Sequence, residues 1–546
     1  MSGNGTVNIE GGEFVRDVKN DYGFFGGGDG TEGTTEGINI SGGTFTDRVN
    51  GAIRFDSGRT RISGGTFNGG LVSGGKATVT VTGGTFAADP LKDGFVADGF
   101  VVKPNGSGAF VVSQVTDASK IQVTDESGKT VDAVGTMGEA VDKVAATGGT
   151  LTLMDDATEA APIAVEPAAS GQLASVSIDL NGKALNASMT IGHNATCTIA
   201  DTTGVGTLKT STSDPAVAVS GALTVAGAVI ENAQGSAVKV APGATLTIDG
   251  GVVRAQAAPA PVKLMAAATS TEQYGIVAES GTAENPTKVN ISAGKVLGTT
   301  GALSVGENVT TNITGGAFSH NVASLLASNY AESEVGGLFY VAKDGMYEVS
   351  AYKADPADSA TWAYPDGAKG QVFAGWYADS AFSTPFTAAS GQAYARFVNV
   401  SDIITFKGGS LKMGGDPATS TSLRFGYSFT LPGDVSFENA GWSYLNQTTG
   451  VTASFDMKNW VFNDIDGGVF ESYLVVTGIP AANYRDGIAT ELFVNYATAD
   501  GTPVHLEDTA FQSRSVMQVA QSIRESSYAP AVEKEYASKI LAVTQA

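Results

Sequence analysis

The phrase Ile40-Ser41-Gly42-Gly43-Thr44-Phe45 returns as Ile62-Ser63-Gly64-Gly65-Thr66-Phe67, and three looser copies keep the paired glycines and the phenylalanine. The looser copies begin at Ile9, Val81 and Ile313. The first residues of the copies at Ile40, Ile62 and Val81 are spaced by 62−40 = 22 and 81−62 = 19 residues. A period of about twenty residues without a helical pattern is typical of a solenoid built from β coils.

The residues before each glycine pair alternate between apolar and polar, as in Val79-Thr80-Val81-Thr82. This alternation places the aliphatic side chains on one face of a strand. Two glycines then permit a bend that a residue with a Cβ would resist, and the phenylalanine returns to the interior. The same phrase also suits a hairpin turn between antiparallel strands. The coil-length period favours parallel stacking, because hairpins repeat at shorter intervals.

Composition places the chain among turn-rich β proteins. It has 546 residues, 71 of them glycine, and 16% are charged, so several domains are expected. A hydrophobic content of 42% excludes general disorder. The net charge of −23 makes nucleic acid and anionic membrane surfaces poor partners. The single cysteine, Cys197, excludes an intramolecular disulfide and a thiolate zinc site.

No stretch is long and apolar enough to span a bilayer, and no signal peptide precedes the first coil. Strand edges at an uncapped end are normally covered, so we expect a piece of a longer protein. We expect a monomer, and no cofactor is indicated.

A second array is predicted after residue 117. Thr136 and Glu139 form a capping-box pattern ahead of an apolar stripe, which predicts a helix over 136–145 that covers the first coil. One class of strands recurs at four places, which predicts a single register for Val217, Val238, Ile276 and Leu303. Cys197 occupies the position that Leu246 holds in a parallel segment, so a buried role is predicted. Residues 255–272, rich in Ala, Pro and Thr, are predicted to form an exposed loop.

The helix, Leu151-Thr152-Leu153 and Asp179-Leu180-Asn181-Gly182-Lys183 together resemble the start of a pectin-lyase-like domain. The resemblance covers about residues 1–345 and implies a right-handed parallel β-helix, a fold that hosts lyases, hydrolases, adhesins and stalks. We expect two β-helix arrays, over 1–117 and 118–348.

The segment 349–400 contains Val372-Phe373-Ala374-Gly375-Trp376-Tyr377, which resembles the internalin B-type repeat of bacterial surface proteins. That resemblance implies a small β-grasp-like extracellular module. Trp376 and Tyr377 are its candidate ligand-binding aromatics, although a core role suits so small a module better. Residues 401–546 are predicted to form a β-rich module that ends in two helices, with the first beginning near Ser515.

Candidate chemistry is sparse. An enzyme on a β-helix needs converging carboxylates, and the available ones are Asp155, Asp156, Glu159, Asp179, Asp201 and Asp249. Several of them stand at strand ends beside turn residues, where carboxylates serve turns. Asp464 and Asp466 resemble part of a calcium loop but lack the distal glutamate. Three histidines, His193, His320 and His505, are far apart in the sequence.

The combined features favour a non-enzymatic extracellular surface protein, an adhesin-like or stalk module with a glycan or host-surface ligand. The alternatives are a polysaccharide lyase or glycoside hydrolase on the β-helix, and a dedicated glycan-binding module. A uniform ladder of Thr, Ser and Asn on the coils would favour the stalk, whereas carboxylates converging on one groove would favour the enzyme.

Overall fold

The computed structural model describes residues 6–17, 37–49, 52–169, 171–255, 272–353, 355–456, 463–464, 469–508 and 511–543. Of the described residues, 52% are in strands and 10% in helices, so the predicted all-β class is confirmed. The chain forms two compact units, Met1–Val341 and Ala342–Ala546. The finer division into four domains stays a prediction.

The first sheet of the first unit has eight strands within the described residues. They are β1 (Val7–Ile9), β2 (Glu13–Arg16), β3 (Gly37–Ile40), β4 (Thr44–Asp47), β5 (Ala52–Phe67), β6 (Gly70–Phe86), β7 (Phe100–Pro104) and β8 (Phe110–Gln114). Strands β1 to β6 pair in parallel, and the repeated phrase sets the register: Ile40 lies opposite Ile62, which lies opposite Val81. Parallel pairing rules out the hairpin interpretation of the glycine pair.

The two glycines of each phrase have different roles. A Cβ on Gly64 would lie 2.3 Å from the carbonyl oxygen of Ser41 in the preceding coil, and one on Gly83 would lie 2.3 Å from that of Ser63. Atoms that close would overlap, so the first glycine is required by the approach of the neighbouring backbone. The second glycine bends the chain, since Gly65 has φ = 102°.

The phenylalanine rings that follow the glycine pairs stack on one another from coil to coil. Phe14, Phe45, Phe67 and Phe86 form a column of parallel rings whose centroids are 4.8, 4.8 and 4.9 Å apart. The last three are fully buried. Each ring therefore contacts its counterparts in the adjacent coils, which adds aromatic packing to the backbone pairing.

The second array lies in the same unit, and its described residues combine one helix with strands, most of which are short. These elements are β9 (Ile121–Thr124), β10 (Thr130–Val134), α1 (Met137–Val144), β11 (Thr150–Leu153), β12 (Ala157–Thr158), β13 (Ile163–Val165), β14 (Ala174–Asp179), β15 (Ala184–Asn186), β16 (Met189–Ile191), β17 (Ala195–Ala200), β18 (Thr207–Thr210), β19 (Val217–Val219), β20 (Ala222–Ala226), β21 (Val229–Asn232), β22 (Val238–Val240), β23 (Thr245–Ala255), β24 (Tyr274–Ala278), β25 (Thr287–Gly298), β26 (Gly301–Val305), β27 (Val309–Ile313), β28 (Ala317–Phe318), β29 (Tyr330–Val335) and β30 (Leu338–Lys343). A 3-10 turn spans Ala323–Leu325.

Helix α1 begins where the sequence predicts. The Thr136 hydroxyl accepts a hydrogen bond from the Glu139 amide at 3.3 Å. Its apolar residues, Met137, Ala140, Val141 and Val144, are all buried. The helix therefore covers the first coil of the array with the predicted face.

Three parallel ladders run through the second array, and the chain visits them in the same order in successive coils. Val217, Val238, Ile276 and Leu303 lie opposite one another, as predicted. Cys197 is fully buried and aligned with Leu223 and Leu246, so its predicted core role is also confirmed. This pairing is what a solenoid requires; the solenoid itself and its right-handedness stay predictions. Of the predicted loop at 255–272, residues 256–271 lie outside the described residues.

The second unit begins with a three-stranded antiparallel sheet and continues into two larger antiparallel sheets. Its elements are β31 (Tyr347–Glu348), β32 (Gln371–Tyr377), β33 (Gln392–Asn399), α2 (Val400–Ile403), β34 (Ile404–Lys412), β35 (Ser420–Thr430), β36 (Ser436–Asn446), β37 (Thr452–Asp456), β38 (Asn463–Asp464), β39 (Val469–Pro480), β40 (Ile488–Ala497), β41 (Pro503–Glu507), β42 (Gln512–Arg514), α3 (Val516–Glu525) and α4 (Ala531–Val543). Short 3-10 turns span Val349–Ala351, Ser359–Thr361 and Ala481–Asn483.

The two larger sheets pack against each other through aromatic side chains. The rings of Tyr427 on β35 and Trp442 on β36 are 4.8 Å apart between centroids, and both are buried. The Tyr427 hydroxyl donates to the Thr490 carbonyl of β40 at 2.9 Å. Ser515 caps α3 with a complete capping box, so the predicted helix start is confirmed. The β-grasp likeness of 349–400 stays a prediction.

A buried ion pair links segment 349–400 to the sheets that follow. Lys353 Nζ lies 2.8 Å from Asp500 Oδ2, and both side chains are at most 1% exposed. Burial alone would raise the pKa of Asp500, but hydrogen bonds from Lys353, Thr498 and Thr502 outweigh it, so the pKa lies below its ordinary value. Lys353 also lies over the Trp362 ring. These contacts fix segment 349–400 against the rest of the second unit.

Parallel pairing after the glycine pair predicts a specific cross-link. Thr66 lies directly opposite Thr85, at the strand spacing of about 4.8 Å that a disulfide can bridge. The double substitution Thr66→Cys with Thr85→Cys should therefore oxidise readily, as measured by free-thiol titration and non-reducing peptide mapping. The matched control is Ser63→Cys with Thr66→Cys, the pair that a hairpin would bring together. Preferential oxidation of this control would contradict the parallel register.

Candidate functional site

The carboxylates at the strand ends of the second array bind the chain's own backbone. Asp201 is only 8% exposed and accepts hydrogen bonds from the Gly182 and Gly206 amides, both at 2.7 Å. Burial alone would raise its pKa, but these bonds outweigh burial and hold the pKa below its ordinary value. Asp179 accepts from the Asn181 amide at 2.9 Å and from the Thr202 amide at 3.2 Å. Both aspartates therefore fix turns, as their neighbours predict.

The remaining candidate carboxylates are used in the same way. The amide of Asp156 donates to Asp155 Oδ1, and the Ala184 amide donates to Asp156 Oδ1, both at 2.8 Å. Asp249 Oδ1 accepts from the Ser292 hydroxyl at 2.9 Å.

Glu159 Oε1 accepts from the Met137 amide at 2.6 Å, at the first residue of α1. A carboxylate there satisfies an amide that the helix cannot bond and lies at the positive end of the helix dipole.

A groove of about 510 Å³ crosses one outer face of the second array. Its lining includes Glu159, Asn186, Lys209 and Glu231. Glu231 is ion-paired with Arg254 of the next coil, with Arg254 Nε at 2.8 Å. The two carboxylates of this groove are thus each engaged, one by the helix and one by an arginine. Glycosidases instead present two opposed carboxylates to the substrate.

The two aromatic candidates of segment 349–400 lie in its core. Trp376 and Tyr377 are each 1% exposed. Trp376 packs against Tyr352 and Phe373, with ring centroids 5.5 and 5.1 Å apart. In this arrangement neither ring offers a face to a ligand, which agrees with the core role that the sequence favours.

The calcium candidates fall at the edge of the described chain. Asp464 belongs to the two-residue strand β38, where its backbone pairs with Phe470. Asp466 lies outside the described residues. In the ranges that the structure describes, no three His, Cys, Asp or Glu side chains come together in a way that would hold a metal ion.

Candidate nucleophiles are also held by structural contacts. Burial raises the pKa of the Cys197 thiol to about 12, which keeps the thiolate from forming at neutral pH. Ser319 Oγ lies 2.9 Å from Nδ1 of the neighbouring residue His320. The wide spacing of the three histidines in the sequence does not predict this serine–histidine contact. The same hydroxyl accepts from the Gly298 amide at 3.0 Å and donates to the Gly298 carbonyl at 3.2 Å. Ser319 therefore ties two coils together.

Sequence reasoning missed Glu491 on β40. Burial raises its pKa, and the negative charges of Glu507 and Asp508 raise it further, to about 7, against a smaller opposing effect of His505. A carboxyl with so perturbed a pKa is a candidate for function. Its neighbours come from the adjacent strand β41 and the residue after it, so only the pairing of β40 with β41 brings them together. Like-charge repulsion and burial account for the shift.

Comparisons with protein-family models, curated proteins and solved structures gave no match to this chain. The resemblances to pectin-lyase-like domains and to internalin B-type repeats therefore stay predictions from motifs. None of the helices in the described ranges is long and apolar enough to cross a membrane.

The raised pKa of Glu491 predicts how stability depends on pH. Its folded-state pKa of about 7 exceeds the ordinary value of 4.5, so folding favours the protonated form. This contribution to stability is complete below about pH 4.5 and is lost as the pH rises through about 7. Glu491→Gln should therefore raise the melting temperature of the second unit at pH 8 and flatten its decline between pH 4.5 and 8.

The control is Glu535→Gln, which changes an exposed carboxylate on α4 and should leave the profile unaltered. Identical pH profiles for wild type and Glu491→Gln would contradict the assignment.

Proposed function

We propose that this chain is a non-enzymatic part of an extracellular surface protein, a stalk or adhesin-like module whose ligand is a glycan or a host-surface protein. The observation that carries the proposal is the use of six carboxylates in the second array. Each accepts a hydrogen bond from the chain's own backbone or from one of its hydroxyl groups: Asp155, Asp156, Glu159, Asp179, Asp201 and Asp249.

The outer faces of the coils support a structural role. Along one ladder of the second array the side chains at successive positions are Thr198, Thr224, Thr247, Asn290 and Asn312. This is the uniform Thr and Asn ladder that favours a stalk over an enzyme. It repeats the same small polar groups instead of gathering different ones at one place.

Side-chain hydrogen bonds between coils point the same way. In the first sheet, Asn39 Nδ2 donates to Asn8 Oδ1 and Asn68 Nδ2 donates to Thr46 Oγ1, both at 3.0 Å. In the second array, Asn186 Nδ2 donates to Thr158 Oγ1 at 3.1 Å. Outer polar groups thus bond from coil to coil and stiffen the array.

Lyase chemistry makes demands that these contacts do not meet. A lyase neutralises a uronate carboxylate with a cation and removes the neighbouring proton with a positioned base. Of the carboxylates that line the groove of the second array, Glu231 is paired with Arg254, and Glu159 accepts from the first amide of α1. Lys209 supplies a positive charge in this groove, but either carboxylate would have to leave its contact before it could act as the base.

The proposal predicts no turnover of polysaccharides. The purified chain is incubated with pectin, alginate, glycosaminoglycans and neutral glycans, with and without calcium, while ultraviolet absorbance and reducing ends are followed. We expect no product above the level of heat-denatured protein.

Asp201→Asn should lower stability by about 1–3 kcal/mol, because its amide nitrogen would face an amide donor.

Reproducible turnover that disappears in Glu159→Gln or Glu231→Gln, with folding intact by circular dichroism, would make the enzyme interpretation correct. Asn186→Ala, in the same groove, is the control for a change that removes no carboxylate.

A further inference from the structure

The second unit contains a groove of about 550 Å³ that is separate from every residue considered for catalysis above. Its floor is formed by β34, β35 and β39, and its wall by α3 and α4. The groove residues that matter for recognition are Ser410, Lys412, Arg424, Tyr473, Glu533 and Tyr536. We call it the Arg424 groove.

Tyr473 provides an aromatic surface in the Arg424 groove. The residue is 42% exposed, although its ring is held in place. The hydroxyl donates to Glu471 Oε2 at 3.2 Å, and the ring lies against Gly426, where a Cβ would come within 3.0 Å of a ring carbon. Gly426 thus makes room for the ring on the sheet. An exposed, fixed aromatic ring suits the apolar face of a sugar ring, because it loses little conformational freedom on binding.

Arg424 supplies a positive charge beside that ring. Its guanidinium carbon lies 4.5 Å from the centroid of Tyr473, and its Nε donates to Ser410 Oγ at 3.1 Å. Among the residues that the structure describes, no carboxylate forms an ion pair with Arg424. The stacking and the Nε bond orient the guanidinium, which leaves its terminal nitrogens for a bidentate partner.

The helical wall of the Arg424 groove contributes a glutamate and an anchored tyrosine, and a lysine contributes a second positive charge. Glu533 lies in the first turn of α4. Tyr536 is anchored by its hydroxyl to Thr421 Oγ1 at 3.0 Å and to the Gly414 carbonyl at 3.2 Å. Lys412 is exposed at the end of β34. A groove with both arginine and glutamate matches a ligand that has a carboxylate and hydroxyl donors, in preference to a simple anion.

We propose that the Arg424 groove binds a pyranose that bears a carboxylate, such as a uronic acid or a sialic acid, within a glycan. Arg424 holds the carboxylate, Tyr473 packs against the ring, and Glu533 accepts from a hydroxyl. This inference rests on the proposed role as a non-enzymatic surface module and gives that role a ligand class.

The test measures binding of the full chain to defined sugars by isothermal titration calorimetry and ligand-observed NMR. The probes are glucuronic acid and N-acetylneuraminic acid as their methyl glycosides. Methyl glucoside serves as the neutral ring, and acetate and inorganic phosphate serve as anions without a ring. We expect the acidic sugars to bind about tenfold or more tightly than any of these controls, and binding to weaken as salt is added.

Two variants locate the site. Arg424→Gln should weaken binding of the acidic sugars by about tenfold or more, the loss expected for a hydrogen bond to a charged group. Tyr473→Ala should weaken it by a similar factor while leaving the charge in place. Arg61→Gln removes one positive charge from an exposed position in the first unit and should bind as wild type does. Arg424→Lys keeps the charge without the planar fork and should bind more weakly than wild type. Thermal unfolding confirms that each variant is folded.

Equal binding of neutral and acidic sugars, binding of phosphate or acetate alone, or binding unchanged in Arg424→Gln would each overturn the inference. The absence of any sugar binding would also overturn it and would leave the stalk proposal standing. Turnover of the acidic sugar would contradict the non-enzymatic proposal instead, so the two failures are distinguishable.

Discussion

A carbonyl oxygen of each coil in the first sheet occupies the space that a side chain of the next coil would need. At Gly64 and Gly83 the oxygen of the preceding coil comes within 2.3 Å of the Cβ position, and at Gly315, in the second array, within 2.0 Å. The coils can approach this closely only where glycine stands. In the first sheet, the parallel register and the phenylalanine column both depend on that approach.

The repeated phrase made this part of the fold predictable, because each copy carries the alternation, the glycine pair and the aromatic together. The phase of the second array was predictable from the recurrence around Val217 and Val238, although that array lacks the full phrase in most coils. The handedness of the coils could not be predicted in this way. It is a property of the whole coil, and no single residue of the phrase encodes it.

The candidate site was less accessible from the sequence. Asp201 was correctly suspected of serving a turn, since threonine and glycine follow it. No comparable signal in the sequence predicts the pairing of Lys353 with Asp500, or the meeting of Arg424 and Tyr473 with the helices that wall their groove. Residues that meet only through tertiary folding do not recur at a fixed spacing. Carboxylates placed by the repeat bond the coils' own backbone, whereas the Arg424 groove, whose arginine forms no ion pair among the described residues, lies outside the repeat.

Hydrogen exchange tests the central claim most directly. In Gly64→Ala the new Cβ would meet the Ser41 carbonyl, so the Thr66 amide, which donates to Gly43 at 2.8 Å, should lose much of its protection, with an overpacking cost of about 1–3 kcal/mol. Gly11→Ala changes the same position of the phrase where a Cβ would meet no atom within 4 Å, and the Thr44 amide, which donates to the Gly12 carbonyl of that coil at 2.8 Å, should keep its protection. Equal protection of both amides in their variants would contradict the account.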